Sequence, residues 1–183
     1  MKPWKTLQSK ELYHAGFFRL RQDECELGDG RIMPRYYVVE FPDWVHVVAM
    51  TKSRELIMVR QYRHAGKCEC LELPGGSLDP RHPEDPLAAA QRELLEETGY
   101  ASSKWRRLGA FYPNPALQSN QLITFFAEDC EKVSEPNLDP FEELQVEIHK
   151  WDSITNMLAE RKFQHALVAA SLSLLSGNYD LKR

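Results

Sequence analysis

The sequence predicts a single domain of mixed α+β class, and three features of the chain indicate it. Short β-type runs separated by turn residues fill most of the first half. A helix with signals at both ends stands near the middle, and apolar residues recur at helical spacing toward the C-terminus. The length of 183 residues suits one domain, and no internal repeat or linker interrupts the chain.

The first predicted element is a β-hairpin that spans about Phe17 to Phe41. Its arms, FFRLRQDECEL and RIMPRYYVVEF, flank Asp29-Gly30, which is a strong hairpin signal. A hairpin alone is marginal in water, so this one must pack on another surface. We therefore divide the chain into an N-terminal hairpin extension, residues 1–43, and a main domain, residues 44–183.

The main domain begins with the strand-type runs VHVVAM, ELIMVRQYR and CECLELP, followed by the Pro-rich loop GGSLDPRHPEDP. A helix starts at about Pro86, with Asp85 as its N-cap, and Gly99 stands where a left-handed C-cap belongs. Further strands are predicted at WRRLGAFYP, QLITFFAED and LQVEIHKW. The segments SITNMLAE and FQHALVAASLSLL predict helices at the end of the chain.

Composition narrows the classes of function. Apolar residues make up 43% and charged residues 27%, the balance of an ordinary globular protein, and the net charge of −4 argues against nucleic-acid binding. The N-terminal MKPWKTLQSK lacks the apolar core of a secretory signal, and ALVAASLSLL is too short to span a bilayer. The cysteines have neither disulfide-framework nor zinc-site spacing, so we expect reduced thiols, no membrane partner and a cytoplasmic protein.

The central helix carries an unusual acidic cluster in QRELLEETGY. Like charges three or four residues apart on a helix cost roughly 0.2–0.5 kcal/mol per pair. Helical geometry puts Leu87, Ala90 and Leu94 on one stripe that should pack on the sheet. Glu93 and Glu97 lie beside this stripe, so they do not belong to a merely solvated face.

The charges of this helix predict a metal site. Arg92 pairs with Glu96 four residues later, which leaves Glu93 and Glu97 adjacent with no cation between them. Hard cations such as Mg²⁺ and Mn²⁺ prefer carboxylate oxygens and would remove the repulsion. Gly75-Gly76, in the loop that ends a strand, can bring main-chain groups against a metal or a phosphate.

The motif around the cluster resembles the Nudix box, G-x5-E-x7-R-E-U-x-E-E-x-G-U, where U is aliphatic or aromatic. Glu84, seven intervening residues and RELLEETGY match every fixed position of the box from its first glutamate onward. Seven residues rather than five separate Gly76 from Glu84, and the surplus is assigned to a longer loop at residues 79–83.

Segments outside the box resemble the ADP-ribose pyrophosphatase branch of the Nudix hydrolases. They are VRQYRHAG before LELPGG, a proline after the box (Pro113 or Pro115), the hairpin and KFQHALVAASLSLL, so the likeness spans roughly residues 15–175. It implies an α/β/α sandwich around a mixed sheet and Mg²⁺-dependent cleavage of the diphosphate of ADP-ribose or a related nucleoside diphosphate sugar. The alternatives are a GDP- or ADP-hexose substrate, or a Nudix-like ligand-binding domain without turnover.

The resemblance also implies roles for residues of the helix and the loops. Its metal ligands are Glu93, Glu97, Glu96 directly or through water, and the carbonyl of Gly75 or Gly76. Arg92 orients the carboxylates, with an ordinary surface ion pair as the alternative. In the loop DPFEELQVE, Glu143 is the first candidate for a further metal ligand or general base and Glu142 the second. A glutamate in such a loop can instead be merely solvated.

Substrate-binding candidates come from the strand end and from aromatic residues. Arg60 and Arg63 carry guanidinium forks that suit diphosphate oxygens, with packing or surface ion pairs as the alternative. Trp4 and Tyr36 are candidate platforms for a base; Tyr37 points to the opposite face of its strand, so one tyrosine is expected in the core. The histidines show no catalytic spacing and are taken as structural.

The resemblance implies a homodimer as well. In that branch the N-terminal segment exchanges with a second subunit and helps to form the base pocket. We therefore expect a two-fold dimer in which Trp4 or Tyr36 reaches the partner's substrate. A hairpin folded onto its own domain is the alternative.

Overall fold

A computed structural model describes residues 2–79 and 84–178. These residues form an α+β fold, as predicted. The strands are β1 (Lys5–Ala15), β2 (Phe18–Glu26), β3 (Ile32–Glu40), β4 (Trp44–Thr51), β5 (Glu55–Arg63), β6 (Cys68–Glu72), β7 (Gly75–Ser77), β8 (Tyr100–Ala101), β9 (Lys104–Phe111), β10 (Leu122–Lys132) and β11 (Leu144–Lys150). The helices are α1 (Pro86–Thr98), α2 (Trp151–Ala159) and α3 (Ala166–Asn178).

The N-terminal segment forms a three-stranded antiparallel sheet in the order β1-β2-β3. The hairpin between β2 and β3 is confirmed, since Gly30 has a φ of 87° and its N–H donates to the carbonyl of Leu27 over 2.9 Å. The sequence does not predict β1, which pairs along the outer edge of β2. Nearly every residue of β1 is exposed, because neither face of the strand packs on a core. Its sequence therefore lacks the alternation of apolar and polar residues that predicts a strand.

The main sheet is mixed and has the order β11-β5-β4-β10-β8, with β6, β7 and β9 joined to β5, β4 and β10. β10 runs parallel to β4, whereas the other pairs are antiparallel. β4 and β5 pair with each other only at Ala49–Ile57 and Met50–Leu56. Beyond these pairs the two strands separate, β7 extends β4 and β6 extends β5. This fork creates the space for the site.

Helices cover both faces of the main sheet, which confirms the α/β/α sandwich. On one face Ala90 and Leu94 of α1 pack in a fully buried cluster with Val47 and other sheet residues. On the other face Ile154 of α2 and Leu172 of α3 pack in a second cluster around the sheet. Burial of such side chains contributes about 1.5–3 kcal/mol each. None of the helices in the described residues is long and apolar enough to cross a membrane.

Helix α1 begins and ends as its sequence signals predict. The side chain of Asp85 accepts the N–H of Leu87 over 2.8 Å, and Gly99 closes the helix in the left-handed conformation with a φ of 73°. The predicted stripe is also confirmed, because Ala90 and Leu94 are fully buried and Leu87 packs against the same cluster. The longer loop assigned to residues 79–83 lies, from residue 80 on, outside the described residues.

Candidate active site

A cavity of about 1450 Å³ opens where β4 and β5 separate. Its walls are the ends of those strands, β7, one side of α1, the loop before β11 and the start of α3. The ionisable side chains on these walls include Arg63, Glu84, Arg92, Glu93, Glu96, Glu97 and Glu142. A cluster of carboxylates therefore faces a cleft that also contains guanidinium groups.

Glu97 is the most deeply buried carboxylate of the cavity, with 2% of its surface exposed. Its Oε2 accepts the backbone N–H of Gly75 over 3.0 Å. Burial raises the pKa of Glu97 to about 9, although the N–H of Gly75 favours the charged form, and the charges of Glu93 and Glu142 add to the rise. The charged form of Glu97 is thus costly unless a cation approaches it.

Arg92 holds the remaining carboxylates of the helix. It donates to Glu84, Glu93 and Glu96, each over 2.9 Å, and the predicted pairing with Glu96 is confirmed. The pairing of Arg92 with Glu93 is not predicted from the sequence; the long guanidinium reaches both its sequence neighbour and the next helical turn. Burial nevertheless raises the pKa of Glu93, with Arg92 opposing the rise. The bond to Arg92 also locates Glu84 at the cavity.

Gly75 and Gly76 lie in β7, hydrogen-bonded to β4, rather than in an open loop as expected. A Cβ on Gly75 would stand 2.0 Å from the carbonyl oxygen of Val45, so the pairing with β4 excludes a side chain there. A Cβ on Gly76 would stand 2.3 Å from Oε1 of Glu93. The glycines therefore let the main chain approach the carboxylates of α1 closely.

The donor set of the cavity fits a hard divalent cation. Glu93 and Glu97 are desolvated carboxylates on adjacent turns of α1, and the backbone of β7 passes beside them. Among the described residues, no three His, Cys, Asp or Glu side chains converge closely enough to enclose an ion. Glu93 and Glu96 both accept hydrogen bonds from Nη1 of Arg92. Occupancy by a cation would require some of these bonds to be exchanged.

The two arginines of β5 have different surroundings. Arg63 lines the cavity and donates to Glu72 through Nε and Nη2, both over 2.7 Å. Arg60 is not among the residues lining the cavity and pairs with Glu147 of β11 instead. Residues three apart on a strand point to opposite faces, so both arginines cannot reach one site.

The loop before β11 brings Glu142 to the cavity, whereas Glu143 is exposed and is absent from the lining of the described cavity. The backbone N–H of Glu142 donates to the carbonyl of Asp139 over 2.9 Å, which forms a tight turn. The sequence predicts Glu143 ahead of Glu142 as the further metal ligand or general base. The turn decides which of these adjacent carboxylates faces the cavity, and it places Glu142 there.

The aromatic candidates lie away from the cavity of their own chain. Trp4 and Tyr36 are in edge contact, with ring centroids 5.9 Å apart, and the hydroxyl of Tyr36 donates to the carbonyl of Ala116 over 2.8 Å. Tyr37 is 44% exposed and Tyr36 is half-buried, so the expectation that one of them is a core residue is wrong.

Several residues that line the cavity are not predicted from the sequence. Phe41 and Trp44 line the cavity in a tilted ring contact, with centroids 5.6 Å apart, and Phe17 adjoins Phe41. The aromatic density of FFRL and FPDW was the available signal. His46 and His165 also line the cavity, although histidine spacing gave no hint of it.

Two family models match the chain. The family model described as NUDIX domain matches residues 41–171, and the one described as Nucleoside diphosphate sugar hydrolase N-terminal domain matches residues 4–39. The ADP-ribose pyrophosphatase of Bacillus subtilis is 29% identical over 172 residues, which are 93% of this chain and 91% of that protein.

Two further likenesses extend the comparison. A methanol dehydrogenase activator of Bacillus methanolicus is 31% identical over 128 residues, which are 70% of this chain and 68% of that protein. A crystal structure of an ADP compounds hydrolase superposes with a TM-score of 0.82 at 22% identity, covering 97% of this chain and 94% of that one. This last likeness shows the fold.

Proposed function

The chain belongs to the NUDIX family of hydrolases, and we propose that it cleaves the diphosphate of ADP-ribose with Mg²⁺. The observation that carries the proposal is that buried carboxylates of α1 and the guanidinium of Arg63 line one cavity. A diphosphate needs cations around it, and a carboxylate-rich wall needs a metal to accept such an anion. The Bacillus subtilis relative is named an ADP-ribose pyrophosphatase, which supports this choice of substrate.

The residues proposed to hold Mg²⁺, or Mn²⁺, are Glu93 and Glu97, with Glu96 directly or through water and the carbonyl of Gly75 or Gly76. When bound, the ion would supply positive charge opposite the diphosphate and activate water for hydrolysis. Arg92 orients the carboxylates by its bonds to Glu93 and Glu96.

The other steps use cavity side chains outside α1. Arg63 binds a diphosphate oxygen with the N–H groups that Glu72 does not occupy. Glu142 accepts the proton of the attacking water as general base, and its position in the cavity lining supports this role over Glu143. The water oxygen bonds to one phosphorus as the bridging oxygen leaves with the other phosphate. ADP-ribose then yields AMP and ribose 5-phosphate.

The N-terminal sheet is proposed as a dimerisation unit. Leu7, Leu12 and Ile32 are at least 42% exposed on it, an apolar surface that a second copy would cover. Trp4 and Tyr36 would then reach the partner's substrate. We also propose a cytoplasmic location, because the four cysteines are free thiols and suit a reducing compartment.

The proposal is tested with a panel of ADP-ribose, ADP-glucose, GDP-mannose and diphosphate-free AMP, with Mg²⁺ and with EDTA. We expect the largest kcat/KM for ADP-ribose, with AMP and ribose 5-phosphate as products. A higher kcat/KM for ADP-glucose or GDP-mannose would mean that a nucleoside diphosphate hexose is the substrate and that the same diphosphate is cleaved. Tight binding without turnover of any diphosphate would contradict hydrolysis and indicate a ligand-binding domain.

A further inference from the structure

Glu72 of β6 is a buried carboxylate beneath the cavity that the proposed reaction does not use. Its side chain is 1% exposed and accepts two hydrogen bonds from Arg63, both over 2.7 Å. Its Oε2 lies a further 3.1 Å from Nδ1 of His165, which stands just before α3 and lines the cavity. Three residues from three separate elements thus form one linked group.

The protonation of this group follows from its contacts. Burial alone would raise the pKa of Glu72, but the hydrogen bonds from Arg63 and His165 lower it to about 2. An ionised carboxylate can only accept hydrogen bonds, so the proton of the third bond lies on Nδ1 of His165. His46 packs edge-on against His165, with ring centroids 6.2 Å apart, and bonds Ser171 of α3 over 3.0 Å. The imidazole of His165 is therefore held in place from two sides.

The guanidinium of Arg63 is fixed by this arrangement. Two of its five N–H groups are engaged by Glu72, and the other three have no hydrogen-bond partner among residues 2–79 and 84–178. Its side chain is 48% exposed at the end of β5, where a free arginine would sample many rotamers. Ordering such a side chain on binding costs conformational entropy, so fixing it beforehand strengthens binding.

We propose that His165 is a positioning residue that acts through Glu72 to hold the guanidinium of Arg63 toward the diphosphate. The inference rests on the proposed function, because Arg63 is the diphosphate-binding arginine there. His165 stands just before α3 and lies 93 residues from Glu72 in the sequence. Through this bond, the segment that leads into α3 contributes to substrate affinity without supplying a ligand of the metal.

The chain contains a matched group outside the cavity. Arg60 pairs with Glu147, and Nε2 of His149 lies 2.7 Å from the same carboxylate. This Arg–Glu–His group has the same side-chain types, and its histidine is 22% exposed against 32% for His165, although Glu147 is 27% exposed and Glu72 only 1%. None of its members lines the cavity. Loss of His149 therefore reports what removing such a histidine does to stability alone.

The experiment compares His165→Leu, His165→Asn and His149→Leu in the full chain, with ADP-ribose and saturating Mg²⁺. Loss of a hydrogen bond to a charged group predicts a KM about tenfold higher for His165→Leu, with kcat within about twofold. His165→Asn should restore most of the KM, because its amide donates from nearly the same place as Nδ1. His149→Leu should match the wild type. Unchanged KM in His165→Leu, or an equal rise in His149→Leu, would overturn the proposal.

A double-mutant cycle tests whether His165 acts through Arg63. Arg63→Gln should raise KM more than His165→Leu, and adding His165→Leu to it should have little further effect. If the double variant's rise in KM equals the product of the two single rises, or if His165→Leu lowers only kcat, then His165 does not act through Arg63.

Binding separates this inference from the proposed function. The affinity of each variant for α,β-methylene ADP-ribose with Mg²⁺, measured by calorimetry, needs no turnover. If the wild type hydrolyses no ADP-ribose, the proposed function fails, and the same tenfold weakening in His165→Leu still supports the positioning role. Equal affinity of wild type and His165→Leu would refute that role whatever the activity. Thermal unfolding of each variant identifies any that is misfolded. If His165→Leu is misfolded, His165→Ala, which also lacks the donor, replaces it in the comparison.

Discussion

The backbone N–H of Gly75 and the carboxylate of Glu97 are joined by a hydrogen bond of 3.0 Å, which connects the edge of the main sheet to helix α1. The bond lies where the two parts of the cavity wall meet. Burial raises the pKa of Glu97 to about 9 in spite of this bond, so one N–H does not compensate for the loss of solvent. A cation at this point would stabilise both the carboxylate and the contact between sheet and helix.

Replacing Glu97 with Gln should separate catalysis from stability. We expect turnover to fall at least about a hundredfold, the scale of losing strong transition-state electrostatics. Without metal, the Tm should be equal to or higher than that of the wild type, because the neutral amide removes the cost of burying an ionisable carboxyl group. Steady-state kinetics and calorimetric melting measure the two effects. Glu135→Gln, at a glutamate that pairs with Lys132 on the surface, is the control and should change neither. Wild-type turnover at saturating Mg²⁺ would contradict the metal role of Glu97.

Arg92→Lys should destabilise the metal-free protein. A lysine ammonium cannot replace the fork that reaches Glu84, Glu93 and Glu96, so we expect a loss of about 1 kcal/mol, or roughly 2–4 °C in Tm. Mg²⁺ should narrow the difference, since the ion would neutralise the same carboxylates. Melting with and without Mg²⁺ tests this.

Arg31→Lys is the control for Arg92→Lys, because Arg31 is 76% exposed and pairs only near its own turn with Asp29. It should melt like the wild type in both conditions. If Mg²⁺ instead increases the difference in Tm between Arg92→Lys and the wild type, then the main effect of Arg92 is to strengthen binding of the ion.

Gly75→Ala should lower the free energy of unfolding. The new Cβ would meet the carbonyl oxygen of Val45 at 2.0 Å, and overpacking of this kind costs about 1–3 kcal/mol. Gly16→Ala is the matched control, since a Cβ there has no atom within 4 Å. Urea unfolding of both variants measures the difference, and equal stability would show that β7 moves to accommodate the methyl group.

The stability of the protein should depend on pH through His46. Burial, with the neighbouring charge of His165, lowers the pKa of His46 to about 4 from its ordinary value of 6.5. Between these values the unfolded chain binds a proton that the folded one does not, so stability falls as pH falls through this window. From pH 7.5 to 5 the loss assigned to His46 is about 2 kcal/mol.

His46→Asn should flatten this pH dependence, since the asparagine does not titrate and can still bond Ser171. Urea unfolding at both pH values, for variant and wild type, gives the difference between the two slopes. Equal slopes would mean that other groups cause the acid sensitivity.

The exposed apolar residues of the N-terminal sheet should control assembly. Leu7→Lys places a charge on the surface assigned to a second copy, so we expect dissociation to monomers at micromolar concentration and a higher KM. Val133→Lys, at a residue 61% exposed on the main domain, is the control and should sediment like the wild type. A wild type that is monomeric and fully active would exclude the proposed dimer.

The sequence by itself determined the elements whose signals are local. The caps at Asp85 and Gly99 fixed both ends of α1, and apolar periodicity identified its buried stripe. The bounds of β5 agree with the run ELIMVRQYR at both ends, and the motif from Glu84 onward identified the acidic wall of the cavity. Caps, turns and periodicity depend on neighbouring residues, so one sequence contains them completely.

Only the tertiary structure decided what depends on strand pairing and side-chain direction. β1 became visible through its partner β2, because its own exposed residues carry no pattern. Arg63 lines the cavity that opens where β4 and β5 separate, and the turn before β11 places Glu142, not Glu143, in the cavity lining. The bond between Glu72 and His165 joins residues 93 apart. The energy of such contacts depends on burial and on distances across the fold, and neither is a property of any short stretch of sequence.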